Sequence, residues 1–351
     1  MLVGKKMVLV LGLFVVVGCS KNSVKSEDDL NKPVLISPIN GLIIDNPTPI
    51  LVFKWKKLSF GGRRLYGGFQ LSRDKNFTDL VGEDDLLSEK ALDSDSVCFM
   101  QNWLPDGIYY WRIRLKTEDF ASTVTDWSGA GSFELDRSEF EIGTVTDVDG
   151  TVYMTVKIGD QWWMAENLRT GHFRNGDPIE YLVYHDNDVW RYSTYDRPVM
   201  GCPGGISPVY NKLAVVDQRG LAPEGWRVAT DDDWKQLEMF LGMSPEEVDK
   251  FTNVFGEARG AQGNMLRDIS LDLWADTNVF ATNQSGFSAL PCGLITEGGS
   301  SVCSKNVAYF WAQGINTGNK VIFRKLICDE AGIRREMLDW GVGLPVRCIK
   351  E

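Results

Sequence analysis

Histidine is almost missing from this chain. Only His172 and His185 occur, which leaves very little material for histidine-ligated metals or imidazole proton relays. Positive charge is also in deficit: 37 lysines and arginines face 48 aspartates and glutamates, for a formal net charge of -11. A nucleic-acid partner needs clustered Lys and Arg against its phosphates, so this balance argues against one. It suits an exported protein kept soluble by self-repulsion. Long apolar runs are absent as well. The sustained stretch from Met7 to Val17 falls short of the roughly 20 residues that a bilayer-spanning helix takes. No serine stands in a nucleophile elbow, and no carboxylate pair can be picked out among so many acids.

What is present gives the layout. With 351 residues, 43% hydrophobic and 24% charged, the chain has room for two folded domains with cores of their own. Lys5 and Lys6 followed by the short apolar run have the form of a secretory signal. The run ends in Val16-Val17-Gly18-Cys19, which resembles the lipobox of bacterial lipoproteins. Cleavage is expected after residue 18, with the Cys19 sulfur carrying the lipid. One acyl chain holds only marginally, and lipoprotein maturation supplies more than one. Ser20 in the second position implies sorting to the outer membrane. Glu27, Asp28 and Asp29 lie some way past Cys19, and the choice between a periplasmic-facing and a cell-surface protein stays open. Residues 19–31 are polar and aperiodic and read as a tether. The membrane, through this lipid, is the one expected partner that the sequence specifies.

Residues 32–136 show short alternating runs between turn signals, the pattern of an all-β sandwich. Leu51, Phe53 and Trp55 alternate, as do Phe69 and Leu71. Tyr109, Trp111, Ile113 and Leu115 share one face, with Tyr110, Arg112 and Arg114 on the other, and period two assigns the first set to the core. Pro105-Asp106-Gly107 supplies the preceding turn. The stretch Leu104 to Ile113 resembles the corner of a fibronectin type III domain, with Tyr109 as the corner tyrosine and Trp55 as the core tryptophan. Trp127-Ser128 and Phe133 stand where that family has its closing strand. The resemblance implies a spacer or docking module.

From residue 140 to 351 the composition shifts toward Trp, Gly and Asn. Asp149-Gly150 between two apolar runs is a hairpin signal. Asp147-Val148-Asp149-Gly150 begins like a calcium loop but lacks the later oxygen ligands and the closing glutamate, and no metal is expected. Thr230 precedes Asp231, Asp232 and Asp233, then Trp234, Leu237, Phe240 and Leu241 at helical spacing. Thr230 is the expected cap and the aspartates meet the positive end of the helix dipole. Adjacent helical residues point about 100° apart, so the three aspartates do not converge on one ion. Ser244-Pro245-Glu246-Glu247 predicts a second short helix with Glu247 completing a capping box.

Val145-Thr146-Asp147, Val156 to Arg169, Leu221 to Thr230, Asn283 to Pro291 and Val346 to Lys350 together resemble the Fibrobacter succinogenes major paralogous domain. Ala229 stands where that pattern usually has proline, and 175–209 diverges locally. The resemblance implies a C-type-lectin-like α+β fold related to formylglycine-generating enzymes. The whole is then expected to be multi-domain, an all-β fibronectin-like sandwich followed by this α+β domain.

Besides Cys19 there are Cys98, Cys202, Cys292, Cys303, Cys328 and Cys348, which can pair in an oxidising compartment. Cys292 and Cys303 flank Thr296-Glu297-Gly298-Gly299 almost symmetrically, and a hairpin there predicts a disulfide between them. Cys98, alone in the first module, reads as a buried free thiol.

Formylglycine-generating enzymes carry two reactive cysteines close together, and no closer pair than Cys292 and Cys303 exists in the C-terminal part. No catalytic residue, metal or cofactor is therefore expected, and an oxidoreductase of that type is a remote alternative. Lectin-like folds bind on long loops, and Tyr181, Tyr184, Trp190, Tyr192 and Tyr195 cluster beside Asp186, Asn187 and Asp188. Either these rings pack the loop onto its own domain, or they stack on sugar rings whose hydroxyls meet the amide and carboxyl groups. The Glu-Pro-Asn and Trp-Asn-Asp triplets of calcium-dependent lectins are absent, with Trp274-Ala275-Asp276 at best a remnant. The expected function is a non-catalytic envelope lipoprotein binding glycans or proteins. The alternative is a purely structural envelope protein that docks partner proteins.

Overall fold

The computed structural model describes residues 32–56, 65–87, 97–101, 104–117, 125–182, 199–201, 207–252, 256–302, 304–314, 320–339 and 341–351. The chain divides into two units. One runs to Asp45 and resumes over Ile50–Arg137; the other takes Asn46–Pro49 and Ser138–Glu351. Both are rich in strands and poor in helix.

In the first unit the strands are β1 (Leu35–Ser37), β2 (Leu42–Ile44), β3 (Ile50–Trp55), β4 (Leu65–Ser72), β5 (Leu80–Leu87), β6 (Val97–Gln101), β7 (Gly107–Thr117) and β8 (Gly131–Leu135). They form two sheets, ordered β1-β3-β6 and β2-β8-β7-β4-β5. Alternation decides which side chains lie between them. Leu51, Phe53 and Trp55 from β3 meet Phe69, Leu71, Tyr109, Trp111, Ile113 and Phe133 from the other sheet in one core. The expected inward set of β7 is buried in this way at Tyr109, Trp111 and Ile113, while the burial of Leu115 lies outside the described residues. Phe53 holds the centre, with edge-on rings of Phe69 at 5.0 Å and Trp111 at 5.1 Å.

Polar atoms at the ends of this core are satisfied locally, as burial requires. The Tyr109 hydroxyl donates to the Pro105 carbonyl at 2.7 Å, and Trp111 Nε1 donates to the Pro38 carbonyl at 2.6 Å. That second bond explains Gly131, where a Cβ would stand 2.5 Å from Trp111 Nε1. The opposite face of β7 is outward. There Arg112 donates twice to Gln70 Oε1 and lies over Phe77 at 3.9 Å and Trp127 at 4.5 Å.

The second unit contains β9 (Ile142–Thr146), β10 (Val152–Ile158), β11 (Gln161–Met164), β12 (Glu180–Leu182), β13 (Val199–Gly201), β14 (Val209–Tyr210), α1 (Lys212–Val215), β15 (Trp226–Val228) and α2 (Asp231–Phe240). After them come α3 (Pro245–Val248), α4 (Gly263–Leu266), β16 (Leu294–Ile295), β17 (Ser301–Val302), β18 (Val307–Ala312), β19 (Lys320–Ile327), β20 (Arg334–Asp339) and β21 (Cys348–Lys350). The principal sheet runs β15-β21-β11-β10-β9, so the C-terminal strand is inserted between strands formed much earlier. A separate antiparallel sheet runs β18-β19-β20. Helix α2 supplies Trp234 to the core, where its ring lies 5.2 Å from Trp163, 5.3 Å from Phe287 and 5.5 Å from Phe310.

Thr230 caps α2 as expected, in a full capping box with Asp233. The three aspartates have separate tasks. Asp233 completes the cap and takes Arg227 at 2.5 Å, and Asp232 points to solvent. Asp231 is buried in a network that the dipole reading did not anticipate: it accepts from Arg324 at 2.8 Å and Arg335 at 2.7 Å. Two turns on, the buried Glu238 accepts from Arg324 at 2.5 Å and from Arg259 at 3.1 Å. Buried charges survive only when paired in this way.

One sequence expectation needs correction. Ser244 caps α3, but the Glu247 carboxylate accepts from the Gly260 amide at 3.0 Å rather than returning to the cap, because a chain crossing nearby offers an otherwise orphan donor. Trp274, considered as a remnant of a sugar motif, is a core residue whose Nε1 donates to the Ala289 carbonyl at 3.0 Å.

Candidate ligand cleft in the second unit

The hairpin predicted at Asp149-Gly150 is formed, with Val152 opposite Thr146 and Gly150 at φ +81°, a conformation that favours glycine. Its organiser is Asp147. One carboxylate oxygen accepts the Asp149 and Thr151 amides, both at 2.9 Å. The other accepts the Tyr153 hydroxyl at 2.5 Å. Burial pushes the Tyr153 phenol far above its ordinary value, so it remains a donor. The Tyr153 oxygen in turn accepts the Arg169 amide at 2.9 Å, which fixes the segment after β11 against the hairpin.

That segment returns to the same turn at Asp149. The Asp149 carboxylate accepts the Gly171 amide at 2.6 Å, lies 2.9 Å from the Thr170 hydroxyl and 2.5 Å from His172 Nδ1. Burial raises its pKa, but the Gly171 amide, the Thr170 hydroxyl and His172 outweigh that and leave it below the usual carboxylate value. The turn and residues 170–172 therefore form one clipped unit.

The third wall is Leu221-Ala222-Pro223-Glu224, held by Arg174. Its guanidinium donates to the carbonyls of Ala222 at 3.2 Å, Pro223 at 3.2 Å and Trp226 at 2.9 Å. It also lies 3.6 Å from the exposed Glu224 carboxylate. The three segments enclose a cleft of about 240 Å³ lined by Thr146, Asp147, Val148, Thr170, Arg174 and Leu221 to Glu224. Typical small-molecule sites hold roughly 300–1,000 Å³, so this one fits a single ring or a short side chain. Its floor is occupied: Asp147 and Arg174 spend their hydrogen bonds on the fold. Glu224 at the rim keeps an exposed carboxylate, and Val148, Leu221 and Pro223 give apolar surface.

Among the residues singled out from sequence, Tyr181 stands on β12 and is 54% exposed. Tyr184, Asp186, Asn187, Trp190 and Tyr192 lie outside the described residues, as do Tyr195, Asp188 and the lipidation residue Cys19. The hairpin expected between Cys292 and Cys303 is present, with Leu294 opposite Val302 and a turn closed by Gly299 on Thr296. Cys292 at its foot is buried, with Sγ 3.4 Å from the Ser207 carbonyl. Cys303, and with it the expected pairing, is outside the described residues. No disulfide joins two of the described cysteines. Among the described residues no group of three or more His, Cys, Asp or Glu is placed to hold a metal.

The cleft itself was missed in the sequence because its walls come from 146–148, 170–174 and 221–224. A local signal did exist in Leu221-Ala222-Pro223-Glu224-Gly225-Trp226, whose turn closes with the Trp226 amide on the Pro223 carbonyl at 3.0 Å.

The second unit is thus a strand-rich domain with a strand inserted from its own C-terminus and a loop-walled cleft beside the first hairpin. The family model of the Fibrobacter succinogenes major domain matches residues 156–350, more than half of the chain, and the chain belongs to that family. No curated protein matches significantly. Among solved structures, an α-L-rhamnosidase from Dictyoglumus thermophilum matches with 18% identity and a TM-score of 0.22, over 38% of this chain and 17% of the rhamnosidase. A likeness that slight carries no functional argument.

Proposed function

We propose that this chain is a non-catalytic lipoprotein of the bacterial outer membrane, anchored at Cys19, whose second unit binds an envelope or extracellular ligand. The first unit then acts as a fibronectin type III-like spacer, a reading supported by two facing sheets and by the Tyr109 hydroxyl returning to the Pro105 carbonyl. The second is a C-type-lectin-like α+β domain. In that fold ligands sit on loops, and here loops wall the cleft.

The observation that carries the binding reading is the make-up of that cleft. A rim carboxylate at Glu224 and the exposed Thr146 stand with apolar Val148, Leu221 and Pro223 around a ring-sized space, the Thr170 hydroxyl being spent on Asp149 and the His172 carbonyl. Sugars need this pairing of hydrogen-bond acceptors with apolar surface. The exposed Tyr181 offers stacking surface for a further ring. Reactive-thiol chemistry is disfavoured at Cys348, which is fully buried and whose thiol burial pushes well above its ordinary value.

The test is a glycan array with the purified full chain in detergent micelles, repeated with Glu224→Gln and Trp190→Ala. Binding to a defined set of glycans that weakens about tenfold or more in either variant, roughly one lost hydrogen bond or stacking contact, is the expected result. No array signal, together with stoichiometric co-purification of an envelope protein, overturns the glycan reading in favour of a protein-docking role.

A further inference from the structure

The outer face of β1 and β3 has a composition unlike an ordinary solvated sheet. β3 places Leu51, Phe53 and Trp55 in the core, so Ile50, Val52 and Lys54 point the other way, with Lys56 following. β1 lies antiparallel beside it with Leu35 opposite Trp55. Val34 and Ile36 therefore share the outward face and are 56% and 51% exposed. The Lys56 amide donates to the Val34 carbonyl at 2.7 Å, which continues the pairing to the start of the described chain. Lys32, exposed, adds a cation in an exposed pair with Asp126 at 3.3 Å. No acidic residue occurs in 32–37 or 50–56, in a chain of net charge -11.

We propose that this face rests on the lipid surface that holds the anchor, with Val34, Ile36, Ile50 and Val52 toward the acyl boundary and Lys32, Lys54 and Lys56 among anionic headgroups. The proposal depends on the lipoprotein reading of Cys19. Twelve residues separate Cys19 from Lys32, and a segment of that length reaches at most about 45 Å when fully extended. The first strand beyond it is β1 itself. Surface docking that is weak in free solution becomes effectively intramolecular at such a distance, and each basic residue near an anionic surface adds to it. The entry of the tether at β1 favours this face over the other sheet, whose outward side carries Arg112 and Arg114. Ile43 and Ile108, 55% and 54% exposed, are also outward there, but the register sets Glu134 between them, and its carboxylate repels the same headgroups.

Amide hydrogen exchange on the acylated full chain tests this, in phosphatidylethanolamine vesicles with and without phosphatidylglycerol, and in detergent. Exchange in peptides covering 33–37 and 50–56 should slow by about threefold or more on the anionic vesicles relative to detergent, with 108–114 unchanged. Lys54→Glu with Lys56→Glu should remove that protection while the protein still floats with vesicles. Because both side chains point outward, circular dichroism should match that of the parent chain. If the variant nevertheless misfolds, salt supplies the second test, since 0.5 M should cancel the protection of the parent chain through charge screening. Protein that is acylated and vesicle-bound yet exchanges equally in vesicles and detergent overturns this proposal alone. Protein that carries no lipid and does not float overturns both it and the anchor reading.

Discussion

Glu238 is the residue whose loss the second unit should tolerate least. It is fully buried, and its carboxylate holds Arg324 at 2.5 Å and Arg259 at 3.0 Å. Glu238→Gln keeps the volume but removes the charge. Arg324 would retain Asp231 at 2.8 Å. Arg259 would keep the Val248 carbonyl at 2.6 Å but no carboxylate, in a place where burial already draws its pKa below the ordinary arginine value. Removing one partner of a buried pair costs about 3–5 kcal/mol. At roughly 2–4 °C per kcal/mol for a unit of this size, the melting point should fall by about 6–20 °C. Urea denaturation followed by tryptophan fluorescence is a suitable assay, because Trp234 packs 5.9 Å from the Arg324 guanidinium. A loss below about 1 kcal/mol would refute the view that this network is tightly coupled to the fold. As a control, Glu238→Met combined with Arg259→Met and Arg324→Met should recover much of the loss, since a well-packed apolar set avoids desolvation and leaves Asp231 paired with Arg335.

Three other outcomes follow from the geometry. Burial raises the Asp231 carboxyl, but Arg335 and Arg324 more than reverse this and hold it far below its ordinary value. Its contribution is therefore complete above the unfolded value of about 3.9 and is lost as pH falls from there toward the folded value; Asp231→Asn should lower stability at neutral pH and flatten the acid limb of a pH–stability curve, and an unchanged limb would contradict the assignment. Gly131→Ala brings a Cβ to 2.5 Å from Trp111 Nε1 and should cost about 1–3 kcal/mol, read as a shift of the first unit's denaturation transition with the second unit's unchanged. Tyr109→Phe deletes the bond to the Pro105 carbonyl and should cost about 1 kcal/mol in the same transition.

Sequence patterns gave the local parts of this architecture because the responsible forces are local. Alternation along β7 assigned Tyr109, Trp111 and Ile113 to the core, Asp149-Gly150 marked its hairpin, and Thr230 marked the start of α2. The aspartates after Thr230 show where such reading stops. Their cap and dipole roles involve neighbours, but the partners of Asp231 are Arg324 and Arg335, 93 and 104 residues away, and nothing in a local pattern encodes that pairing. Glu247 shows the same limit on a smaller scale, since the Gly260 amide competes for the carboxylate that the capping-box spacing had assigned. The cleft combines both cases. Asp147 and Gly150 are readable as a turn, yet the wall they form exists only because Asp149 clips Thr170 to His172 and Arg174 clasps Ala222 to Trp226.

The anchored-binder account begins at one atom, the sulfur of Cys19. Mass analysis of the N-terminal peptide from membrane-extracted protein should find residue 19 first, carrying acyl groups on its side chain. A mature chain that starts elsewhere, or a Cys19 without lipid, would contradict the placement of this protein on a membrane.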